Sequence, residues 1–105
     1  MSSFLAPPNP PRNVTVSDVK ETTAHLTWTK PKYAELYAVT HYAVQLKQHG
    51  DKFTWVEKVT TSYVQLDCPL ENLQDGTGYN VKVVAKRAAT YGLGSKQTEF
   101  ETGIV

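Results

Sequence analysis

Large apolar residues recur two apart along much of this chain. Tyr42-Ala43-Val44-Gln45-Leu46-Lys47 and Tyr79-Asn80-Val81-Lys82-Val83-Val84-Ala85-Lys86 carry the pattern furthest. Successive side chains of an extended strand face opposite ways, so period two sends one set to a core and the other to solvent. Val14–Ser17, Ala24–Trp28, Val64–Leu66 and Thr98–Thr102 are shorter versions. Phe53–Val59 is rich in aromatic and β-branched residues but alternates less cleanly. Such residues fit strands better than helices. No stretch sustains the three-to-four spacing of an amphipathic helix, so no substantial helix is expected. Breakers separate the runs: Lys30-Pro31-Lys32, His49-Gly50-Asp51 (read as a hairpin tip), Asp75-Gly76-Thr77-Gly78 and Tyr91-Gly92-Leu93-Gly94. The expectation is an all-β chain, a seven-stranded antiparallel β-sandwich.

Size and composition narrow this further. The 105 residues suffice for one domain, and a chain 40% hydrophobic and 20% charged is built to fold. A single cysteine, Cys68, excludes an intrachain disulfide and a cysteine-based zinc cage. No apolar run approaches the ~20 residues of a membrane span, so no membrane insertion by this segment is expected. Positions 7, 8, 10 and 11 are proline, which removes N–H donors and fixes φ. Residues 1–9 therefore read as a stiff, extended, Pro-rich linker. Phe4-Leu5-Ala6 is too short for a signal-peptide core, and the chain is expected to be a piece of a longer protein.

Searches for chemistry return little. There is no phosphate-binding glycine loop and no nucleophile elbow. His25, His41 and His49 lack metal-ligand spacing and read as surface residues. Asp67, Glu71 and Asp75 do not have the spacing of a calcium loop. Cys68 has no adjacent base to activate it. No catalysis, metal or cofactor is expected. Lys47, Lys82 and Lys86 would share one sheet face, and Lys30, Lys32 and Arg87 one end of the sandwich. Either cluster could dock a polyanionic glycan, but a net charge of +1 favours plain solubilising surface and argues against nucleic acid. Asn13-Val14-Thr15 is an N-glycosylation acceptor pattern, which makes Asn13 a modification site if the parent is secreted.

Several motifs, taken in order, resemble the fibronectin type III domain, a module with an immunoglobulin-like sandwich. Pro10-Pro11-Arg12-Asn13-Val14-Thr15-Val16, Leu26-Thr27-Trp28 and Pro31 resemble its front half. Tyr42–Leu46 resembles its third strand. Leu73, Asp75-Gly76-Thr77 and Tyr79 resemble its tyrosine corner, and Gly94-Ser95 with Thr102 its last strand. The likeness spans residues 10–102, with 103–105 as an exit toward a following domain. It implies a core built on Trp28, Tyr42, Leu73 and Tyr79, with the Tyr79 hydroxyl bonded to backbone near Leu73. The segment 67–72 departs from the family by being longer, and reads as a loop extension with Leu70 tucked onto the core. Trp55 is expected to pack on its sheet.

The resemblance also implies where a partner would dock. In such a sandwich the connections at 29–40, 60–63 and 87–95 gather at one end. They bring Tyr33, Tyr37, Arg87, Tyr91 and Leu93, side-chain types that anchor interfaces. The implied role is a non-catalytic interaction and spacer module of a larger cell-surface or extracellular adhesion or receptor protein. Its partners would be another protein, met through these loops or a sheet face, and the adjacent domains of its own chain. An intracellular muscle-type scaffold and an accessory domain beside a catalytic one are the alternatives.

Overall fold

A computed structural model describes residues 6–50 and 54–105. Its elements are β1 (Arg12–Ser17), β2 (Ala24–Thr29), β3 (His41–Gln48), β4 (Val56–Ser62), β5 (Asp67–Leu70), β6 (Gly78–Arg87), β7 (Thr90–Gly94) and β8 (Thr98–Glu101). The smaller sheet runs β1-β2-β5 and the larger β4-β3-β6-β7, every pairing antiparallel. β7 and β8 both pair with β6, Gly94 opposite Val84 and Thr98 opposite Val81. They are two halves of one edge strand, which reconciles eight segments with the seven expected. The break falls where Ser95 turns inward. Its hydroxyl accepts the Val83 N–H at 2.9 Å and donates to the Lys96 carbonyl at 3.0 Å.

The alternation is realised most cleanly in β2, where Ala24, Leu26 and Trp28 are buried and His25, Thr27 and Thr29 are half-exposed. Tyr42, Val44 and Leu46 of β3 and Tyr79, Val81, Val83 and Ala85 of β6 meet them from the other sheet. Trp28 lies edge-on to Tyr42, ring centroids 5.5 Å apart. Tyr79 stacks on Phe100 at the same separation. The Tyr79 hydroxyl accepts the Gln74 N–H at 2.8 Å, one residue past buried Leu73. Thr102 closes the same corner, donating to the Gln74 carbonyl at 2.6 Å and accepting the Thr77 N–H at 2.9 Å.

Three local expectations are corrected. Val64–Leu66 is not a strand: Gln65 N–H closes a turn onto the Ser62 carbonyl, and Val64 is 77% exposed. The strand is instead Asp67–Leu70, so the supposed loop extension is β5 itself. Its register sets Cys68 opposite Leu26 and Leu70 opposite Ala24, and both inward side chains are 1% exposed. Pro69 is tolerated because β5 is an edge strand, where a missing N–H leaves no ladder bond unmade. Tyr91–Gly94 is likewise strand β7 and not a turn. The strand expected at Phe53–Val59 is β4, displaced to Val56–Ser62; Phe53 and the Asp51 end of the hairpin tip lie outside the described residues.

Part of the proline-rich lead-in is seated on the sandwich. Pro8 is fully buried and its carbonyl accepts the Leu93 N–H at 3.1 Å. Gly92 permits this approach, since a Cβ there would collide with that carbonyl.

Removing the indole should expose how much the joint between sheets depends on it. Trp28→Ala is expected to cost about 3–5 kcal/mol in urea unfolding; a loss below about 1 kcal/mol would mean the ring is not central.

Candidate interaction surfaces

β3 begins at His41, which pairs with Ser62 at the end of β4 and Lys86 near the end of β6. The connection at 30–40 therefore sits beside the chain's entry into β1, where Arg12 pairs with Thr29. This connection folds as compact turns: Tyr37 N–H bonds Tyr33 O, and Val39 N–H bonds Ala34 O, at 3.0 and 3.1 Å. Ala34 and Val39 are buried and anchor it, while Tyr33 and Leu36 are left 61% and 63% exposed. Tyr33 adopts φ 57° and Ala38 φ 55°, left-handed values that non-glycine residues adopt at a cost.

Polar contacts fix this loop from several sides. Arg87 donates through Nη1 to the carbonyls of Tyr37 and Ala6, each at 3.1 Å, tying the loop to the lead-in. Arg12 Nε donates to the Lys30 carbonyl at 3.0 Å, and Asn9 Nδ2 to the Lys32 carbonyl at 2.9 Å. Tyr63 donates its phenol to Glu35 at 2.6 Å, with Lys30 Nζ 4.8 Å above its ring and 3.9 Å from the same carboxylate. The bond to Tyr63 holds Glu35 below the usual carboxylate range and pushes the Tyr63 phenol up. Burial raises neighbouring Tyr42 to about 12. Asn9, Pro10, Arg12, Lys32, Tyr33 and Tyr37 line a groove of about 470 Å3 on this end.

The five residues grouped by sequence reasoning thus separate. Tyr33 and half-buried Tyr37 face the groove, and Arg87 holds it together from below. Tyr91 and Leu93 lie on β7 instead. Tyr91 reaches across the larger sheet, donating to Glu57 at 2.7 Å beneath Lys86 Nζ, 4.6 Å from its ring. Trp55 is half-buried, as expected, with Lys47 and Lys82 ammoniums 5.0 and 4.3 Å from its ring. Burial, and then the charge of Lys47, lowers the pKa of Lys82. Sequence reasoning missed Asn9, Pro10 and Arg12 as groove residues. Their only sequence signal was proximity to the first strand, which does not say that the lead-in folds back beside residue 33.

Other candidates are structural. His25 and Asp67 pair across β2 and β5 at 3.1 Å. Cys68 is buried, which pushes its thiol up to about 11 and leaves it a poor nucleophile. Among the described residues no three His, Cys, Asp or Glu side chains converge on a metal-sized site. Asn13 is exposed at the β1 bulge, φ 54°, with Nδ2 3.3 Å from Thr29 Oγ1.

A two-sheet sandwich without a disulfide, closed by a Tyr79 corner, is matched by the family model for the fibronectin type III domain over residues 9–101. The chain belongs to that family. Among solved structures, domains A168–A170 of titin align at 27% identity with a TM-score of 0.81, over 91% of this chain and 32% of that one. The chicken CNTN1 FN1–FN3 domains align at 26% identity and a TM-score of 0.80, over 93% and 31%. The human fibronectin type III domain containing protein 3 domain shares the fold at 22% identity and a TM-score of 0.82, over 100% and 94%. This fibronectin type III domain therefore spans about a third of the length of the titin and CNTN1 fragments it matches. The family is a generally non-catalytic module, found in proteins of differing location.

The tyrosine cluster of the domain is open to a direct check. Glu35→Gln should bring the Tyr63 phenol back toward the ordinary tyrosine range, while burial, the largest cause of its shift, keeps Tyr42 raised. In an alkaline titration by NMR, a Tyr63 phenol that does not move on this substitution would assign its shift to burial instead of the bond. Because Tyr42 is raised above its unfolded value near 10, its share of stability is complete below that pH and is lost as pH climbs through about 12.

Proposed function

We propose that this domain is a non-catalytic interaction and spacer module of a larger cell-surface or extracellular adhesion or receptor protein. The domain proper is residues 10–102, with 1–9 as its entry connection and 103–105 as its exit. The observation that carries this reading is the pinned 30–40 loop. A tyrosine and a leucine are held outward, 61% and 63% exposed, on backbone fixed by Arg87, Asn9 and Arg12. Rigid display of large side chains lowers the ordering cost of binding, which is what an interface residue needs. Tyr33 and Tyr37 are the proposed contacts, Arg87 their support, and Tyr91 and Leu93 a neighbouring patch on the sheet. Entry and exit at opposite ends suit a spacer: Arg12 starts β1 beside the 30–40 loop, while Glu101 ends β8 opposite Gly78.

A photo-crosslinking residue at position 33 of the full-length parent should capture protein partners, and one at position 99 on the β8 edge should not. Crosslinks concentrated at position 99 would place the contact elsewhere.

The extracellular assignment draws on the exposed Asn13-Val14-Thr15 pattern. A module of an intracellular muscle-type scaffold is the second reading, favoured by Cys68, a buried thiol kept unpaired. Glycosidase treatment of the parent should increase its mobility on a gel, and Asn13→Gln should abolish that share of the shift. An unglycosylated Asn13 favours the scaffold.

A further inference from the structure

Formal charge is distributed unevenly along the sandwich, which the near-neutral total conceals. The entry end carries Arg12, Lys30, Lys32 and Arg87, and its loop carboxylate Glu35 already holds Tyr63 and Lys30. The exit end carries exposed Asp18 and Glu21 between β1 and β2, Glu71 and Asp75 between β5 and β6, and Glu101 at the end of β8. Lys20 lies among them, and Lys47 and Lys58 approach this end from the larger sheet, lining a pocket with Asn72 and Gln74, so carboxylates still outnumber cations there. The two ends also differ in relief. At the exit, Ile104 is 82% exposed and rests against Gly76, where a Cβ would lie 3.3 Å from its side chain. Asp75 adjoins Gly76, and the Glu21 side chain lies against Gly103, so carboxylates flank an apolar knob. At the entry, the groove has an apolar lining of Pro10, Tyr33 and Tyr37, flanked by Arg12 and Lys32.

We propose that the entry groove receives the acidic exit end of a second copy of this chain, with Ile104 against the two tyrosines and Glu21 and Asp75 facing Arg12 and Lys32. This rests on the entry end being a contact surface, and it names the partner chemistry. Opposite charge steers the ends together and disfavours entry-to-entry or exit-to-exit pairing. The joined patches differ, so the contact is head-to-tail and repeats along a line instead of closing as a dimer. A 27 × 18 Å cross-section is smaller than the ~800 Å2 per partner of stable free complexes. Separate molecules therefore join weakly, whereas copies tethered in one chain gain an effective concentration in the millimolar range.

Amide NMR spectra of the chain, diluted from on the order of 1 mM at low salt, test this. Signals from Arg12, Lys32 and Tyr33 should move together with those from Glu21, Asp75 and Ile104. In 0.5 M salt the movement should vanish, because screening shortens the reach of these charges to a few ångströms. R12E/K32E and E21K/D75K should each weaken self-association about tenfold or more. Mixed, the two should regain the concentration-dependent shifts that each has lost alone, since the native ends they retain are complementary and so are their reversed ends. Unchanged melting temperatures show that both variants are folded. Absence of concentration-dependent shifts, or no recovery of them in the mixture, overturns the proposal. So does an entry end that responds to a sulfated glycan and not to its own copies. If self-association fails while position 33 still crosslinks other proteins, the second-copy assignment falls and the interaction reading stands. If both fail, both fall.

Discussion

The contact between Trp28 and Tyr42 is what the sandwich is assembled around. One ring comes from the smaller sheet and one from the larger, and they meet edge to face. Rings of this size bury about 150–250 Å2 each, on the order of 4–6 kcal/mol apiece at the usual coefficient. The joint has an electrostatic cost. Trp28 Nε1 and the Tyr42 hydroxyl are buried without a hydrogen-bond partner among the described residues, which costs about 1–3 kcal/mol each. Ring burial offsets that. The second closure is different in kind: the Tyr79 hydroxyl and Thr102 satisfy backbone groups of the turn that carries the chain between sheets.

The entry end depends on the same joint. Tyr42 is followed in space by Tyr63, centroids 6.4 Å apart, and the Tyr63 hydroxyl donates a hydrogen bond to Glu35 on the 30–40 loop. Core packing is thus continuous with the loop through a row of aromatic rings. Arg87 completes the support from the end of β6. Tyr33 can hold a left-handed backbone conformation because the turns around it are fixed by Ala34 and Val39 in the core.

Where sequence reasoning went astray, the cause is pairing. Pro69 deflects the eye from Leu66-Asp67-Cys68-Pro69-Leu70, whose period-two pattern is intact. The proline sits on an edge, where only one neighbouring strand requires donors. Tyr91-Gly92-Leu93-Gly94 has the composition of a turn, yet pairs with β6 as a strand. Its glycines admit close approach: Gly92 to the Pro8 carbonyl, Gly94 to the stem of Lys82. Neither neighbour is close in sequence.

What the sequence determined by itself is the parity of each strand, and hence which side chains can reach the core. Parity is a local property of an extended backbone, and Leu26, Trp28, Tyr42, Val44, Tyr79 and Val81 obey it. The single cysteine was equally legible, being a matter of residue count, and the tyrosine corner was legible through the resemblance of Leu73, Asp75-Gly76-Thr77 and Tyr79 to the fibronectin type III family. Only the tertiary structure decided which loops share an end, how the lead-in lies beside Tyr33, and that Arg12, Lys30, Lys32 and Arg87 collect around one end. Those features arise from strands brought together across tens of residues, where no short-range periodicity carries the information.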